Sequence, residues 1–211
     1  EQLPLPAVIG SVVAAEETPL PPSTRINNAA VFIEEGLIKA VHRKMLLPTY
    51  DVFDEARYFL PGTEPTVISV GKMQIGLTIC EDIWNDKSYW RNPRYQHDPI
   101  EDTVQKGIHL LLNLSASPYE RGKPQARNEI LKTQAVKHSV PIAYCNQVGG
   151  NDSLLFDGRS LCINAQGEVV SQAPSFQTTS LIVDFENGSF AFDPFLSSKK
   201  SGLSILFNSI Q

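Results

Sequence analysis

Apolar and polar side chains alternate most regularly between Lys72 and Ile79, where every second residue is apolar. A repeat of two is typical of a strand with one buried face. Short apolar runs predict further strands, of which the first three are expected to be buried. These runs are residues 7–14, Ile108–Leu112, Pro141–Cys145 and Ser180–Phe185.

Turn and capping residues predict how these strands are connected and where helices lie between them. Residues 27–43 predict a hairpin that turns at Glu35-Gly36, and residues 160–171 predict another. One helix is expected to begin at Asp98-Pro99-Ile100-Glu101, which offers a capping side chain and a proline at the first position. A second helix is predicted over residues 127–139, where apolar side chains recur at helical spacing. Such alternation predicts an α/β chain with a mixed sheet.

The composition excludes several functions. The chain has 211 residues, 42% of them hydrophobic, which is enough for one domain or one and a half. Its formal net charge of −5 leaves no basic field for nucleic acid or an anionic membrane. No apolar run approaches the roughly 20 residues of a transmembrane helix, and no signal peptide is visible. We therefore expect a soluble, cytoplasmic protein with neither a nucleic-acid nor a membrane partner.

Cys80 is the first candidate for chemistry. It ends the alternating strand, and the acidic pair Glu81-Asp82 follows it. Catalytic groups in α/β folds gather at the carboxyl ends of strands, where a thiol can act as a nucleophile beside the N–H groups of its own turn. The alternative is a small core residue, which most free cysteines are. Cys145 and Cys162 lie inside apolar runs and are expected in the core.

A thiol nucleophile needs a base or a cation, because the pKa of a free thiol is about 8.5. The spacing pairs none of the four histidines with Cys80. Lys44 is the other option, since it ends a predicted strand just before an irregular loop. The alternative for Lys44 is an ordinary surface lysine.

Four segments resemble one family. The stretches KMLLPTYDVFDE (44–55), ICEDIW (79–84) and NLSASPY (113–119) resemble the carbon–nitrogen hydrolase (nitrilase) superfamily. Within it, residues 144–160 are similar to the glutaminase domains of bacterial glutamine-dependent NAD synthetases. The four segments stand in the order that the family has, and a looser similarity runs from residue 7 to about residue 185.

The resemblance implies a fold and a domain organisation. The family fold is an αββα sandwich of two mixed sheets, and this chain is expected to lack its first strand and helix. Residues 1–188 would form a nitrilase-like glutamine amidohydrolase domain that is incomplete at its N-terminus. Residues 189–211 would be a tail or linker toward a synthetase domain that the chain does not contain.

The resemblance also implies a chemistry. A Glu–Lys–Cys triad hydrolyses an amide in this family. Carried over, Cys80 is the nucleophile, Lys44 is the triad lysine, and Glu55 is a second glutamate that orients Lys44. Glutamine would be cleaved through a cysteine thioester. The ammonia would serve the ATP-dependent amidation of nicotinic acid adenine dinucleotide to NAD.

Glutamine-binding positions are implied as well. They fall on Tyr50, Ser117 and Lys123, and the N–H of Glu81 would join the lysine of the triad in stabilising the oxyanion. Hydroxyl groups and a cation suit a primary amide that carries an α-amino acid head group. The alternative for Lys123 is a solvated loop residue, and for Glu55 it is an exposed loop carboxylate.

Two features of the family have no counterpart in the sequence. The triad glutamate belongs to a strand and loop before the segment that begins near Ala7, and neither Glu16 nor Glu17 matches it. The synthetase domain, which would use ATP and magnesium, should follow the tail. The expected partners are therefore this synthetase domain, glutamine as substrate and further copies of the chain in a homo-oligomer. We expect no cofactor or metal in the present domain and no glutamine turnover by this chain alone.

Other interpretations remain open. Residues 85–97 look like an inserted loop with aromatic and basic side chains, for which a variable surface loop or a subunit contact is expected. The chain is alternatively a stand-alone nitrilase-family amidase that acts on another small amide. A third reading is a catalytically inactive domain with a structural or interaction role, which the unmatched triad glutamate favours.

Overall fold

The computed structural model describes residues 5–15, 26–87, 89–186, 189–191 and 203–208. The chain divides into two compact units, residues 1–107 and 108–211. Both units contain strands together with an α-helix, so the predicted α/β class is confirmed. No helix in the described part of the chain is long and apolar enough to cross a membrane.

The first unit consists of two antiparallel groups of strands and a short helix. Strands β1 (Ala7–Ala14), β2 (Ile26–Glu34) and β3 (Leu37–Arg43) form a sheet in the order β1-β2-β3. Strands β4 (Thr66–Val70) and β5 (Met73–Ile79) form an antiparallel pair. A 3₁₀ turn, Cys80–Ile83, follows β5 directly, and α1 (Pro99–Val104) comes next.

The second unit contains a longer helix and shorter strands. In chain order they are β6 (Leu110–Ser115), α2 (Lys123–His138), β7 (Ile142–Asn146), β8 (Val148–Asn151), β9 (Leu154–Asp157), β10 (Leu161–Ile163), β11 (Val169–Gln172), β12 (Ser180–Glu186), β13 (Ser189–Ala191) and β14 (Leu203–Asn208). Strands β6 and β7 are parallel, whereas β10 is antiparallel to β7 and β11, which makes a mixed sheet. Strand β12 lies between β13 and β14, and β8 pairs with β9.

The strongest local signals predicted their elements correctly. Strand β5 coincides with the alternating stretch and buries Ile75, Leu77 and Ile79. The β2–β3 hairpin turns at Glu35 and Gly36, whose φ angles of 54° and 74° are those of a two-residue hairpin turn. Helix α1 begins as predicted, because the Asp98 side chain accepts hydrogen bonds from two backbone N–H groups of its first turn.

Three predicted features differ from the structure. Strand β1 occupies the predicted residues but is largely exposed, with Val12 at 58%, because it lies at the edge of its sheet. Helix α2 begins at Lys123 rather than at residue 127, because Gly122 adopts the left-handed conformation before it and Pro124 fits the first turn. Strand β6 extends to Ser115, whose hydroxyl donates to the carboxamide oxygen of Asn113.

The predicted tail contains regular structure. Within residues 189–211, strands β13 and β14 both pair with β12. The boundary that we placed after residue 188 stays a prediction.

A buried ion pair fixes the part of the second unit that carries Ser117. Arg127 of α2 and Asp157 of β9 are 1% and 0% exposed, and their closest contacts are 3.0 Å and 3.3 Å in a two-pronged arrangement. The same guanidinium donates to the Ser117 hydroxyl at 3.4 Å. Removal of one member of such a pair leaves the other charge buried without compensation.

The replacement Arg127→Met should therefore lower the free energy of unfolding by about 3–5 kcal/mol, as measured by urea denaturation. Arg121→Met is the matched control, because Arg121 is exposed just before α2. We expect it to change stability by about 0.5 kcal/mol or less. Similar small effects of both replacements would contradict a structural role for the ion pair.

Candidate active site

Lys44 is a buried lysine, only 1% exposed, so it is not the surface lysine that we gave as the alternative. It follows β3, and its backbone is held on both sides: its N–H donates to the Asn28 carbonyl at 2.8 Å, and its carbonyl accepts from Gly62 at 2.8 Å. A Cβ at position 62 would collide with the carbonyl of Arg43, so this approach requires glycine. The main chain thus fixes where the ammonium group lies.

Glu55 pairs directly with this ammonium group. The Lys44 Nζ lies 2.6 Å from Oε1 of Glu55, which begins a 3₁₀ segment, Glu55–Arg57. Burial alone would lower the pKa of Lys44, but the negative charges of Cys80 and Glu55 raise the pKa above its ordinary value. Lys44 therefore stays charged. The second oxygen of Glu55, Oε2, is buried and has no hydrogen-bond partner among the described residues.

Cys80 lies where β5 passes into the 3₁₀ turn, and it is close enough to Lys44 for their charges to interact. It is half-buried, and its φ of 43° is in the left-handed region. A non-glycine residue in this region carries strain of about 1–3 kcal/mol, which is found preferentially at functional sites. For Cys145 and Cys162, by contrast, burial raises the pKa of the thiol, so both thiols are kept protonated.

Glu81 is a buried carboxylate held by two tyrosines. The Tyr50 hydroxyl donates to its oxygens at 2.8 Å and 2.9 Å, and the Tyr95 hydroxyl donates at 3.3 Å. Burial raises the pKa of Glu81, although both hydroxyls and the charge of Lys44 act in the opposite direction. Burial also raises the pKa of each tyrosine, so both hydroxyls remain donors.

Arg94 and Tyr95 come from residues 85–97, where we expected a variable surface loop or a subunit contact. Most of the described loop residues are exposed, as expected of a surface loop, and the guanidinium of the exposed Arg94 lies 3.6 Å from the centre of the Tyr50 ring. The buried Asn85 side chain closes the loop through hydrogen bonds with the backbone N–H and carbonyl of Tyr95 at 3.1 Å and 2.9 Å. The clustered aromatic and basic residues were the available signal, but local sequence does not tell where a loop returns.

Asp82 is a further residue that the sequence did not single out. It is fully buried within the 3₁₀ turn after the cysteine, and so is its neighbour in space, His42. The sequence shows it only as half of an acidic turn after Cys80.

The predicted residues fall into two groups. Lys44, Tyr50, Glu55, Cys80 and Glu81 interact with one another within the first unit. Ser117 and Lys123 belong to the second unit.

The two predicted residues of the second unit differ in their surroundings. Ser117 is buried, and its N–H donates to the Asn146 side chain at 2.9 Å. Lys123 is half-buried at the first position of α2, where a cation opposes the helix dipole. Helix stability therefore does not explain the presence of Lys123 there.

A family model for carbon-nitrogen hydrolases matches residues 6–190. The chain belongs to the carbon-nitrogen hydrolase family. A glutamine-dependent NAD(+) synthetase of Synechocystis sp. is 41% identical over 179 residues, which cover 85% of this chain and 32% of that protein. One of Thermotoga maritima is 44% identical over 163 residues, which cover 75% of this chain and 26% of that protein. The chain thus spans a third or less of the length of these relatives.

Solved structures show the same fold. The glutamine-dependent NAD+ synthetase of Acinetobacter baumannii superimposes with a TM-score of 0.76 at 33% identity, covering 92% of this chain and 34% of that one. An amidase of Nesterenkonia sp. AN1 superimposes with a TM-score of 0.63 at 22% identity, covering 81% of this chain and 57% of that one. The expected nitrilase-like α/β fold is therefore confirmed.

The raised pKa of Glu81 predicts a pH-dependent stability. Because the pKa is higher in the folded than in the unfolded chain, whatever Glu81 contributes is present at low pH and is lost as the pH rises through the folded pKa. Glu81→Gln removes this loss. The variant should gain stability relative to the wild type as the pH rises from about 4 through the folded pKa, by about 1.4 kcal/mol for each unit of the shift.

Urea denaturation across this pH range measures the difference. Glu64→Gln is the control, since Glu64 is exposed in the same unit, and its stability relative to the wild type should stay constant. A Glu81→Gln variant that loses stability relative to the wild type as the pH rises would show that the buried charge is favourable.

Proposed function

We propose that this chain is the glutamine-hydrolysing part of a glutamine-dependent NAD synthetase. The observation that carries the proposal is the buried ammonium group of Lys44, which is tied to Glu55 and interacts with Cys80 at the end of β5. The identity to synthetases named for glutamine dependence supports the substrate.

The proposed reaction begins with the Cys80 thiolate, which a neighbouring cation favours. The sulfur attacks the carboxamide carbon of glutamine, and the negative charge that develops on the amide oxygen is stabilised by Lys44 and the N–H of Glu81. The C–N bond then breaks, and the nitrogen takes up a proton and leaves as ammonia. Water hydrolyses the thioester, which releases glutamate and restores the thiol.

The proton transfers require a general base. The resemblance assigns this role to a glutamate located before the segment that corresponds to Ala7, and we adopt that assignment. Without such a base, the rate falls by about 10²–10⁴-fold, so the 211-residue chain alone should release glutamate slowly. The free oxygen of Glu55 is the alternative base, and fast glutamate release by this chain would favour it.

The charges beside Cys80 suit an amino-acid head group. The carboxylate of Glu81 faces the α-ammonium of glutamine in this proposal, and Arg94 faces the α-carboxylate. The resemblance assigns glutamine binding to Ser117 and Lys123 as well, and that assignment stays a prediction. A simple aliphatic amide would offer the buried carboxylate no cation besides those of Lys44 and Arg94, whereas the α-ammonium of glutamine adds one. This is why we favour glutamine over the stand-alone amidase.

The remaining parts of the proposal concern partners. The ammonia would be consumed by a synthetase portion, in which ATP and magnesium would be used to amidate nicotinic acid adenine dinucleotide. Hydrolysis itself needs no cofactor in this scheme. Among the described residues, no group of three or more histidine, cysteine, aspartate or glutamate side chains is arranged to hold a metal. A homo-oligomer remains part of the proposal.

A diazo-ketone analogue of glutamine should label the chain at Cys80, because that thiol alone has the cation and the turn N–H groups beside it. Peptide mass spectrometry identifies the labelled residue. L-Glutamine should slow the labelling, whereas butanamide at the same concentration should not. Cys145→Ser is the matched control and should be labelled at the normal rate. Labelling at Cys145 or Cys162 would contradict the assignment, and equal protection by butanamide would favour the stand-alone amidase.

Arg94→Met should weaken the protection by L-glutamine. Loss of one charge-assisted contact should raise the concentration needed for half-protection by about tenfold or more. Arg91→Met is the control, because Arg91 is an exposed arginine of the same loop. If both replacements have the same effect, Arg94 does not bind the head group.

A further inference from the structure

The segment that follows β3 is anchored by a side chain from a distant part of the sequence. The Oδ1 atom of Asp82 accepts hydrogen bonds from the backbone N–H of Met45 at 3.0 Å and of Leu46 at 2.8 Å. These are the two residues that follow Lys44. The carboxylate of Asp82 therefore fixes the main chain next to the buried ammonium group.

The other oxygen of the same carboxylate anchors the strand that delivers the cysteine. Oδ2 accepts from the backbone N–H of Ile79 at 2.9 Å, and Ile79 directly precedes Cys80. The Nε2 atom of His42 lies 3.2 Å from Oδ2 and, with its proton, donates to it. Both side chains of this pair are completely buried.

We propose that Asp82 is the positioning residue that sets the separation between the Lys44 ammonium group and the Cys80 thiol. The importance of this separation for catalysis rests on the proposed function. The positioning of Lys44 and Cys80 by Asp82 does not depend on that function. Asp82 acts through the backbone on either side and touches neither reacting group in this scheme. Its negative charge also raises the pKa of Lys44, and loss of that charge in Asp82→Asn would by itself favour the Cys80 thiolate, which is opposite to the change that we expect.

The physical reason lies in the number of contacts. A carboxylate has about four lone-pair positions, and Asp82 fills them with four donors from two segments of the chain. Four simultaneous contacts in a dry environment leave little freedom to either segment. A left-handed cysteine persists only where its surroundings determine its backbone in this way.

Asp98 is another buried aspartate of the same unit, and its backbone hydrogen bonds are local. Its side chain is also buried, and it accepts from the N–H groups of Ile100 and Glu101. Both donors belong to α1, the helix that Asp98 caps. Asp82 instead joins residues 37 positions apart, as its bond to Met45 shows.

Asp82→Asn tests the proposal, because the carboxamide places an NH₂ group where one of the two acceptor oxygens was. In either orientation of the carboxamide, its NH₂ group faces backbone N–H donors. The side chain therefore loses its hydrogen bonds either to residues 45–46 or to Ile79, and that segment is released. The rate of Cys80 alkylation by iodoacetamide at neutral pH should fall about tenfold, and the pH at which half of the maximal rate is reached should rise by about one unit. Peptide mass spectrometry follows Cys80 separately from the other thiols.

Asp98→Asn is the matched control. It should keep the helix cap, since asparagine caps a helix about as well as aspartate, and it should leave the rate and pH profile of Cys80 alkylation unchanged. A folded Asp82→Asn variant with the wild-type rate and profile would overturn the proposal. So would an equal change in both variants.

A pair of His42 replacements keeps the test decisive if Asp82→Asn does not fold. His42→Leu removes one of the four donors, and it should shift the pH profile of Cys80 alkylation upward by less than Asp82→Asn would. His42→Gln retains a donor and should restore the wild-type profile. Identical profiles for wild type, His42→Leu and His42→Gln would overturn the proposal. Alkylation needs no glutamine, so the two proposals can fail separately. If these shifts occur in a chain whose Cys80 L-glutamine does not protect from the diazo-ketone, the proposed function is contradicted and the role of Asp82 stands.

Discussion

The first unit is organised around a lysine that is removed from water. An isolated buried ammonium group is strongly unfavourable unless it is paired. Lys44 meets this requirement with an ion pair to Glu55 and with the charge of Cys80. The same interactions that allow Lys44 to be buried also place a cation beside a thiol. Folding and the proposed chemistry therefore depend on one set of contacts, which makes the site intolerant of changes to any member.

Other features of the site are unfavourable for stability when each is considered alone. The buried carboxylate of Glu81 has a raised pKa, and Cys80 holds a strained backbone conformation. Lys123 opposes the dipole of α2 from its first position. Proteins retain such features where function requires them and offset them elsewhere in the structure. In the first unit, the four contacts of Asp82 with two segments are the offset.

Local sequence patterns predicted correctly those elements that short-range signals specify. Alternation found β5, and a capping aspartate followed by proline found the start of α1. The apolar spacing indicates a helix only from residue 127, whereas Gly122 and Pro124 mark the true start of α2. Whether a strand is covered, as for β1, depends on what packs against it and not on its own residues.

The candidate site was predictable in part. Cys80 and Lys44 were candidates because each ends a predicted strand, and the resemblance to the family gave roles to both and added Glu55. Asp82 and the contact of Arg94 with Tyr50 were not foreseen, because both depend on chain segments that meet only after folding. The roles of Ser117 and Lys123 stay predictions.

The most direct test of this account measures the thiolate of Cys80 itself. Ultraviolet thiolate absorbance would be followed against pH in a chain whose Cys145 and Cys162 are replaced by alanine, with circular dichroism confirming the fold. The account predicts that the thiolate forms at lower pH in this chain than in its Lys44→Met derivative, while Lys39→Met, a change at an exposed lysine, has no effect. Coincident titration curves with and without Lys44 would contradict the claim that the buried lysine activates the cysteine.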